Sequence, residues 1–273
     1  MYARQYSRIE LVALTFAALT LWPVVARAEV AIGTARVVVA DVSAETAVAN
    51  RRLATADEVR YQELIATQGS SAAVIQFVDE TELAIGERAR VRLDEFVFDP
   101  GAAGVLDLTL EFGALRFSTG TMQKPAYKVS TPSATLAVRG TEFDLAVDDT
   151  GVTYLLVRHG AVEVLGNNGE RKQVGAGQSL TVSDAGVPTD PRIAAALPVG
   201  ALPAKIAAMD ATLAGALAGA GLSADGLSHL SVLAKARSLS SGSPPDGTRP
   251  DVGKAGKPGR DGKDGKGGKR GRP

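Results

Sequence analysis

Two carboxylate groupings hold the residues best suited to chemistry. Asp144, Asp148 and Asp149 gather around one strand-like stretch, and Asp79, Glu80 and Glu82 around another. Paired carboxylates can divide acid and base work on a glycosidic bond, or hold calcium through several oxygens. Neither spacing matches a calcium loop, and the simpler expectation places both groups beside turns on the solvent side. The two histidines, His159 and His229, stand alone, with no HExxH pair and no third ligand nearby, so they read as turn or surface residues. No serine occupies a G-x-S-x-G elbow, and no glycine-rich phosphate loop leads from a strand into a helix. With no cysteine among 273 residues, disulfides, thiolate metal sites and thiol nucleophiles are excluded. The expectation is a non-enzyme without metal or cofactor; a glycan-active enzyme using Asp144 and Asp148 is the opposing reading.

The elements that would position these residues are short strands. Leu106, Leu108, Leu110 and Phe112 alternate with Asp107, Thr109 and Glu111, the period of two of a half-buried strand. Tyr127 and Val129 repeat it before a break at Thr131-Pro132. Leu136 and Val138 resume it, and Phe143, Leu145 and Val147 continue it beyond Gly140. Residues 153–157 and 161–165 read as two strands around Gly160, Asn167-Asn168-Gly169 as a turn, and residues 178–183 as a closing strand. Upstream, residues 72–78 and 83–93 read as strands split by Asp79-Glu80-Thr81. Val59, Leu64 and Ile65 suggest a helix over residues 55–68. Strands and turns in such close succession make residues 29–189 one all-β domain, a sandwich or roll.

From residue 190 to 237 alanine and leucine take over. Leu202, Ile206, Met209, Leu213 and Leu217 form one apolar helical stripe, and Ser223 can cap a second helix carrying Leu227, Leu230 and Leu233. Short Ala-rich helices are marginal alone, so these must pack on the β domain or on copies of themselves, which makes a homo-oligomer conceivable.

The two ends have their own character. Arg4 and Arg8 precede an apolar run over residues 11–26 that closes in Ala26-Arg27-Ala28, so residues 1–28 read as a cleaved export signal. The 16 residues between Glu10 and Arg27 make about 24 Å of helix, short of a hydrocarbon core of roughly 30 Å. The expectation is a periplasmic or secreted chain with no membrane span. Residues 238–273 are a linker and a basic tail. Glycine recurs at every third position from Gly253 to Gly271, with Lys254, Lys257, Arg260, Lys263, Lys266, Lys269 and Arg272 in the second places and Arg270 as an eighth base. A triple helix requires that glycine period, yet only Pro258 and Pro273 supply imino acids, so the tail reads as disordered. Its charge of +6 against −8 for residues 29–252 suits it to anionic polymers.

The stretch 129–147, VSTPSATLAVRGTEFDLAV, resembles the FecR domain family. Thr131-Pro132, the apolar pair Leu136 and Val138, Arg139-Gly140-Thr141 and Phe143 carry the resemblance. Gly160 with Val162 and Val164 is similar to a later family strand, although His159 stands where an acid is usual. Gly177-Gln178 is similar to the closing turn. Phe77 and Asp79-Glu80-Thr81-Glu82-Leu83 resemble an upstream hairpin, with Glu80 where glycine is common, and Phe112-Gly113-Ala114-Leu115 resembles the strand before the motif. The likeness spans about residues 60–183. It implies the periplasmic domain of a membrane-bound anti-sigma regulator that takes a signal from an outer-membrane iron-siderophore transporter. This chain departs from that pattern in its cleavable leader and in its Ala-rich segment, which is unlike the βαβ module that often follows. The expectation that remains is an exported module that binds or senses a protein or envelope ligand. The alternative is a multimeric envelope protein assembled through helices and tail. Within the motif, Gly140 suits a bulge, Thr141 a turn cap, and Arg139 the tying of neighbouring carbonyls or a carboxylate, so fold maintenance stands ahead of ligand binding.

Overall fold

Three strands of 14 residues carry the architecture, because each is long enough to change partners half-way. The structure, a computed structural model, describes residues 30–99, 104–122, 127–193 and 201–219. In chain order its strands are β1 (Ala31–Val39), β2 (Val42–Glu45), β3 (Asn50–Arg52), β4 (Glu58–Arg60), β5 (Leu64–Thr67), β6 (Ala72–Phe77), β7 (Glu82–Ile85), β8 (Arg90–Val97), β9 (Val105–Ser118), β10 (Tyr127–Ser130), β11 (Ala134–Val147), β12 (Thr153–Gly166), β13 (Arg171–Gly175), β14 (Gln178–Val182) and β15 (Arg192–Ile193). One helix, α1 (Ala201–Gly219), follows among the described residues. The expected leader, the second expected helix and the Gly-X-Y tail lie outside the described residues. No helix among the described residues is long and apolar enough to cross a membrane.

All fifteen strands join one hydrogen-bonded sheet, so the chain is all-β in class. The first half of β9 lies between β8 and β10, and its second half between β7 and β11. β11 pairs first with β10 and then, from Glu142 onward, with β9. β12 stays beside β11 throughout but exchanges β14 for β13. The inward residues of all strands except β3 and β15 meet in one core, with Phe77, Phe117 and Phe143 among its largest members. The other face of the sheet, floored by Ala72, Val74, Ala84, Ala114 and Ala146, is covered by Leu202, Ile206, Met209 and Leu213 of α1. The expected helical stripe therefore packs on the β domain.

Three segments differ from the sequence expectation. Residues 55–68 hold β4 and β5 instead of a helix. Ala56 and Gln62 take positive φ (+73° and +62°), which no helix accommodates, and Val59 and Ile65 enter the core as strand residues paired with β1 and β2. Glu63 fixes the turn: it is buried, accepts two bonds from Arg51 Nη2 (2.9 and 3.1 Å) and one from the Arg60 N–H (2.8 Å). Residues 83–93 are two strands, because the Thr67 hydroxyl donates to Gly86 O (2.6 Å) and accepts from the Ala89 N–H (2.9 Å), holding a turn between β7 and β8. Residues 153–166 form a single bulged strand, not two.

Candidate functional site

Where β11 leaves β10 for β9, its ladder with β12 slips. The register passes from Arg139↔Ala161 to Glu142↔His159, leaving Gly140 and Thr141 between matched pairs. Gly140 and Gly160 both adopt left-handed φ (+64° and +75°), and a Cβ on Gly160 would sit 2.4 Å from Gly140 O. Thr141 ties the corner. Its hydroxyl accepts from the Arg139 N–H (3.1 Å) and donates to Ala161 O (3.4 Å). Its N–H donates to Thr119 Oγ1 (3.0 Å), and the Thr119 N–H returns to Thr141 O (3.1 Å). Phe143 then enters the core and stacks on Phe117, with ring centroids 5.4 Å apart. At the preceding turn the Thr131 hydroxyl bonds both the N–H and the carbonyl of Ala134, and Asn167 Nδ2 donates to Pro132 O (2.8 Å). Beyond β13, Gly177 turns at φ +75° and Gln178 Oε1 accepts from the Gly175 N–H (2.8 Å).

Arg139 is the exception among the motif residues. Val138 points into the core, so strict alternation sends the Arg139 side chain to solvent, where it makes no hydrogen bond or ion pair among the described residues. The expectation that it ties nearby carbonyls or a carboxylate is therefore corrected. It borders a shallow cavity of about 430 Å³, together with Tyr127, Ala137, Ala161, Glu163 and Gln173. Ala137 and Ala161 are the direct cross-strand partners of Glu163 and Arg139, so small side chains form a floor between charged neighbours. Glu163 is itself paired with Arg171 (2.6 Å).

Only part of each carboxylate grouping lies at a solvent-facing turn: Glu80 and Asp149 are exposed there and Asp148 is half-buried, whereas Asp144, Asp79 and Glu82 are buried, and for these three the expectation is corrected. Asp144 is wholly buried: Arg116 Nε donates to its Oδ1 (2.7 Å) and Arg158 Nε to its Oδ2 (2.8 Å). Arg116, also wholly buried, sends Nη1 and Nη2 to Asp210 of α1 (2.9 and 3.2 Å). Burial disfavours the Arg116 charge, but Asp144 and then Asp210 outweigh it and leave its pKa raised. With both oxygens held by arginines, Asp144 is not free to work as an acid or base. Asp148 does sit at a turn, accepting from Thr150 and Val152. Asp79 is buried at the turn between β6 and β7, accepting from the Thr81 hydroxyl (2.6 Å) and the Tyr127 hydroxyl (2.9 Å). Glu80 takes φ +68°, the conformation glycine adopts most readily, and Glu82 is buried. His159 is exposed, 3.9 Å from Glu142, and His229 lies outside the described residues. Among the described residues no group of three His, Asp or Glu side chains is placed to hold a metal ion.

Residues 63–163 match the family model described as FecR protein. The FecR match covers less than half of the chain. It runs from the turn before β5 into the second half of β12, taking in Thr131, Pro132, Arg139, Gly140, Thr141, Phe143 and Gly160 but not Gly177 or Gln178. No curated protein matches the chain. Two crystal structures of a candidate anti-sigma factor from Parabacteroides distasonis are similar to it at 18% identity, with TM-scores of 0.41 and 0.40. Each similarity covers 48% of this chain and 59% of that one, so the chain spans under two thirds of the length of these relatives. Outside the FecR match lies Asp210. Neither Arg116 nor Asp210 was singled out by sequence, although each carried a signal: a lone arginine amid the apolar run GALRFS, and a lone acid beside Met209 on an apolar helical stripe.

Proposed function

We propose that this chain is an exported, non-enzymatic FecR-type module that binds or senses a protein or envelope ligand, reading it on the β11–β13 face around Arg139. One observation carries the reading. Thr131, Pro132, Gly140, Thr141, Phe143 and Gly160 each have a structural task, whereas the Arg139 guanidinium has no partner among the described residues. A guanidinium offers five donors in a planar fork that fits a carboxylate, and here it stands on a rigid strand beside an alanine floor. The FecR match supports a sensing role, and the sequence-read leader supports work outside the cytoplasm. The basic residues from Lys254 to Arg272 would add an electrostatic tether to an anionic polymer.

The test is a photo-crosslinking residue at Gln173, on the rim of the trough, introduced into the full chain in its native host. A discrete protein adduct that disappears with Arg139→Ala and persists with Glu170→Ala supports the reading, provided the thermal unfolding of Arg139→Ala matches that of the parent. An adduct indifferent to Arg139→Ala removes the site.

A further inference from the structure

We propose that the sheet face beneath α1 is a helix-acceptor groove keyed by Arg116, with α1 as its occupant in cis. The α1 of a second copy of this chain, which brings the same apolar stripe and the same aspartate, can take its place. The floor is made of small side chains, Ala72, Ala84, Ala114 and Ala146 with Val74, across four neighbouring strands, so a helix can approach the sheet closely. Within this apolar channel the polar link to α1 is the fork from Arg116 to Asp210. Beneath it, Asp144 is shared between Arg116 and Arg158. Without Asp210 the groove presents two guanidinium groups against one carboxylate. That imbalance selects an incoming carboxylate and rejects an ammonium group, since an uncompensated charge in such surroundings is costly.

The helix itself is built to come away. It has no acid in its first turn and no base in its last turn, and it contains Gly215 and Gly219. Its charges are Lys205, which lies 4.8 Å over the Phe112 ring, and the docked Asp210. Its alanines favour a helix, but 19 residues with no charges matched to its ends and two glycines are marginal in isolation, so much of its helicity depends on the groove, and leaving the groove returns its chain entropy. A cavity of about 230 Å³ already lies along the seam, bordered by Asp144, Arg158, Leu202, Ile206 and Asp210. The Arg139 face plays no part in this device, so either proposal can fail without the other.

The cysteine-free chain allows a clean test. A Cβ on Gly86 would lie 3.4 Å from Met209 Cβ, close to disulfide geometry, so Gly86→Cys with Met209→Cys locks α1 down under oxidation. The probe is a fluorescent peptide with the sequence of residues 201–219, and a second with Asp210→Lys. The receptor is the full chain carrying Leu213→Ala, which loosens α1. Anisotropy should show the aspartate peptide binding at least about tenfold more tightly than the lysine peptide (about 1.4 kcal/mol), with binding abolished in the oxidised locked chain and restored by reductant. Equal binding of the two peptides, binding that ignores the lock, or no binding to the Leu213→Ala chain overturns the proposal. Should the double-cysteine chain fail to fold, hydrogen exchange of the wild-type chain decides: α1 amides must exchange at least about a hundredfold faster than those of β11, and equal protection refutes detachment.

Discussion

Gly160 and Gly177 share a φ of +75° but not an environment, which allows conformational strain to be separated from steric closeness. Around Gly177 nothing lies within 4 Å of an added Cβ, so alanine there costs the left-handed backbone penalty, about 1–2 kcal/mol, less the unfolded-state entropy it removes, about 0.4–1 kcal/mol, a net of about 0.5–1 kcal/mol. At Gly160 the same Cβ meets Gly140 O at 2.4 Å and Thr141 Cγ2 at 3.0 Å. Relieving that contact moves β11 at the point where Thr141 exchanges two hydrogen bonds with Thr119. Losing both, at about 1 kcal/mol each, brings the total for Gly160→Ala to roughly 2.5–3 kcal/mol. In urea, followed by far-UV circular dichroism with a slope of about 2 kcal/mol/M, the midpoint should fall by about 0.3–0.5 M for Gly177→Ala and about 1.3–1.5 M for Gly160→Ala. Equal shifts for the two variants would show that the bulge gives way freely and that the Arg139-Gly140-Thr141 corner is not rigid.

Two further outcomes follow from the same region. Glu80→Gly relieves a left-handed residue at the β6–β7 turn; the relief of about 1–2 kcal/mol exceeds the extra unfolded-state entropy of glycine, about 0.4–1 kcal/mol, so the urea midpoint should rise by a few tenths of a molar, and a fall refutes the strain argument. Burial, with the Asp79 charge adding to it, pushes the Tyr127 hydroxyl up to about 12. Unfolded tyrosine loses its proton near pH 10, so this group's contribution is intact below pH 10 and is lost as pH rises from about 10 to 12. Tyr127→Phe should flatten that alkaline decline, and a native ultraviolet titration in which every phenol ionises near pH 10 would contradict the buried Asp79–Tyr127 pair.

The strands that were legible in the sequence were those that send alternate apolar residues into the core. Leu106, Leu108 and Leu110, and then Phe143, Leu145 and Val147, keep the period of two because alternate residues meet the same interior. The helix over 201–219 was legible for the same reason at a different period. Residues 55–68 misled because Val59, Leu64 and Ile65 suit both periods, and what decided between them was pairing with β1 and β2, far away in the chain's hydrogen bonding and invisible locally. The strands over residues 31–52 went unanticipated. In the first of them an arginine at 36 coincides with a slip in the register against β6, which breaks the alternation. The acidic groupings misled more deeply. An aspartate between apolar neighbours was read by its preference for solvent, whereas Asp144 is retained inside by two arginines that stand 28 and 14 residues away.

The corner and the proposed binding face share one geometric origin. β11 serves β10 and then β9, and at that exchange its register against β12 slips at Gly140 and Thr141 and recovers between Glu142 and Phe143. The break needs left-handed backbone on both strands, hence Gly140 and Gly160, and a side chain that can replace the missing ladder bonds, hence Thr141. It also sets the residue just before it. The Arg139 N–H is claimed by the Thr141 hydroxyl and its pairing with Ala161 is the last of the ladder before the slip, so its backbone is pinned while its side chain projects over the two alanines. A guanidinium launched from a pinned backbone loses little freedom on meeting a carboxylate, which is the condition for one exposed residue to matter in binding. The motif thus encodes a bend first, and the bend aims its single uncommitted side chain.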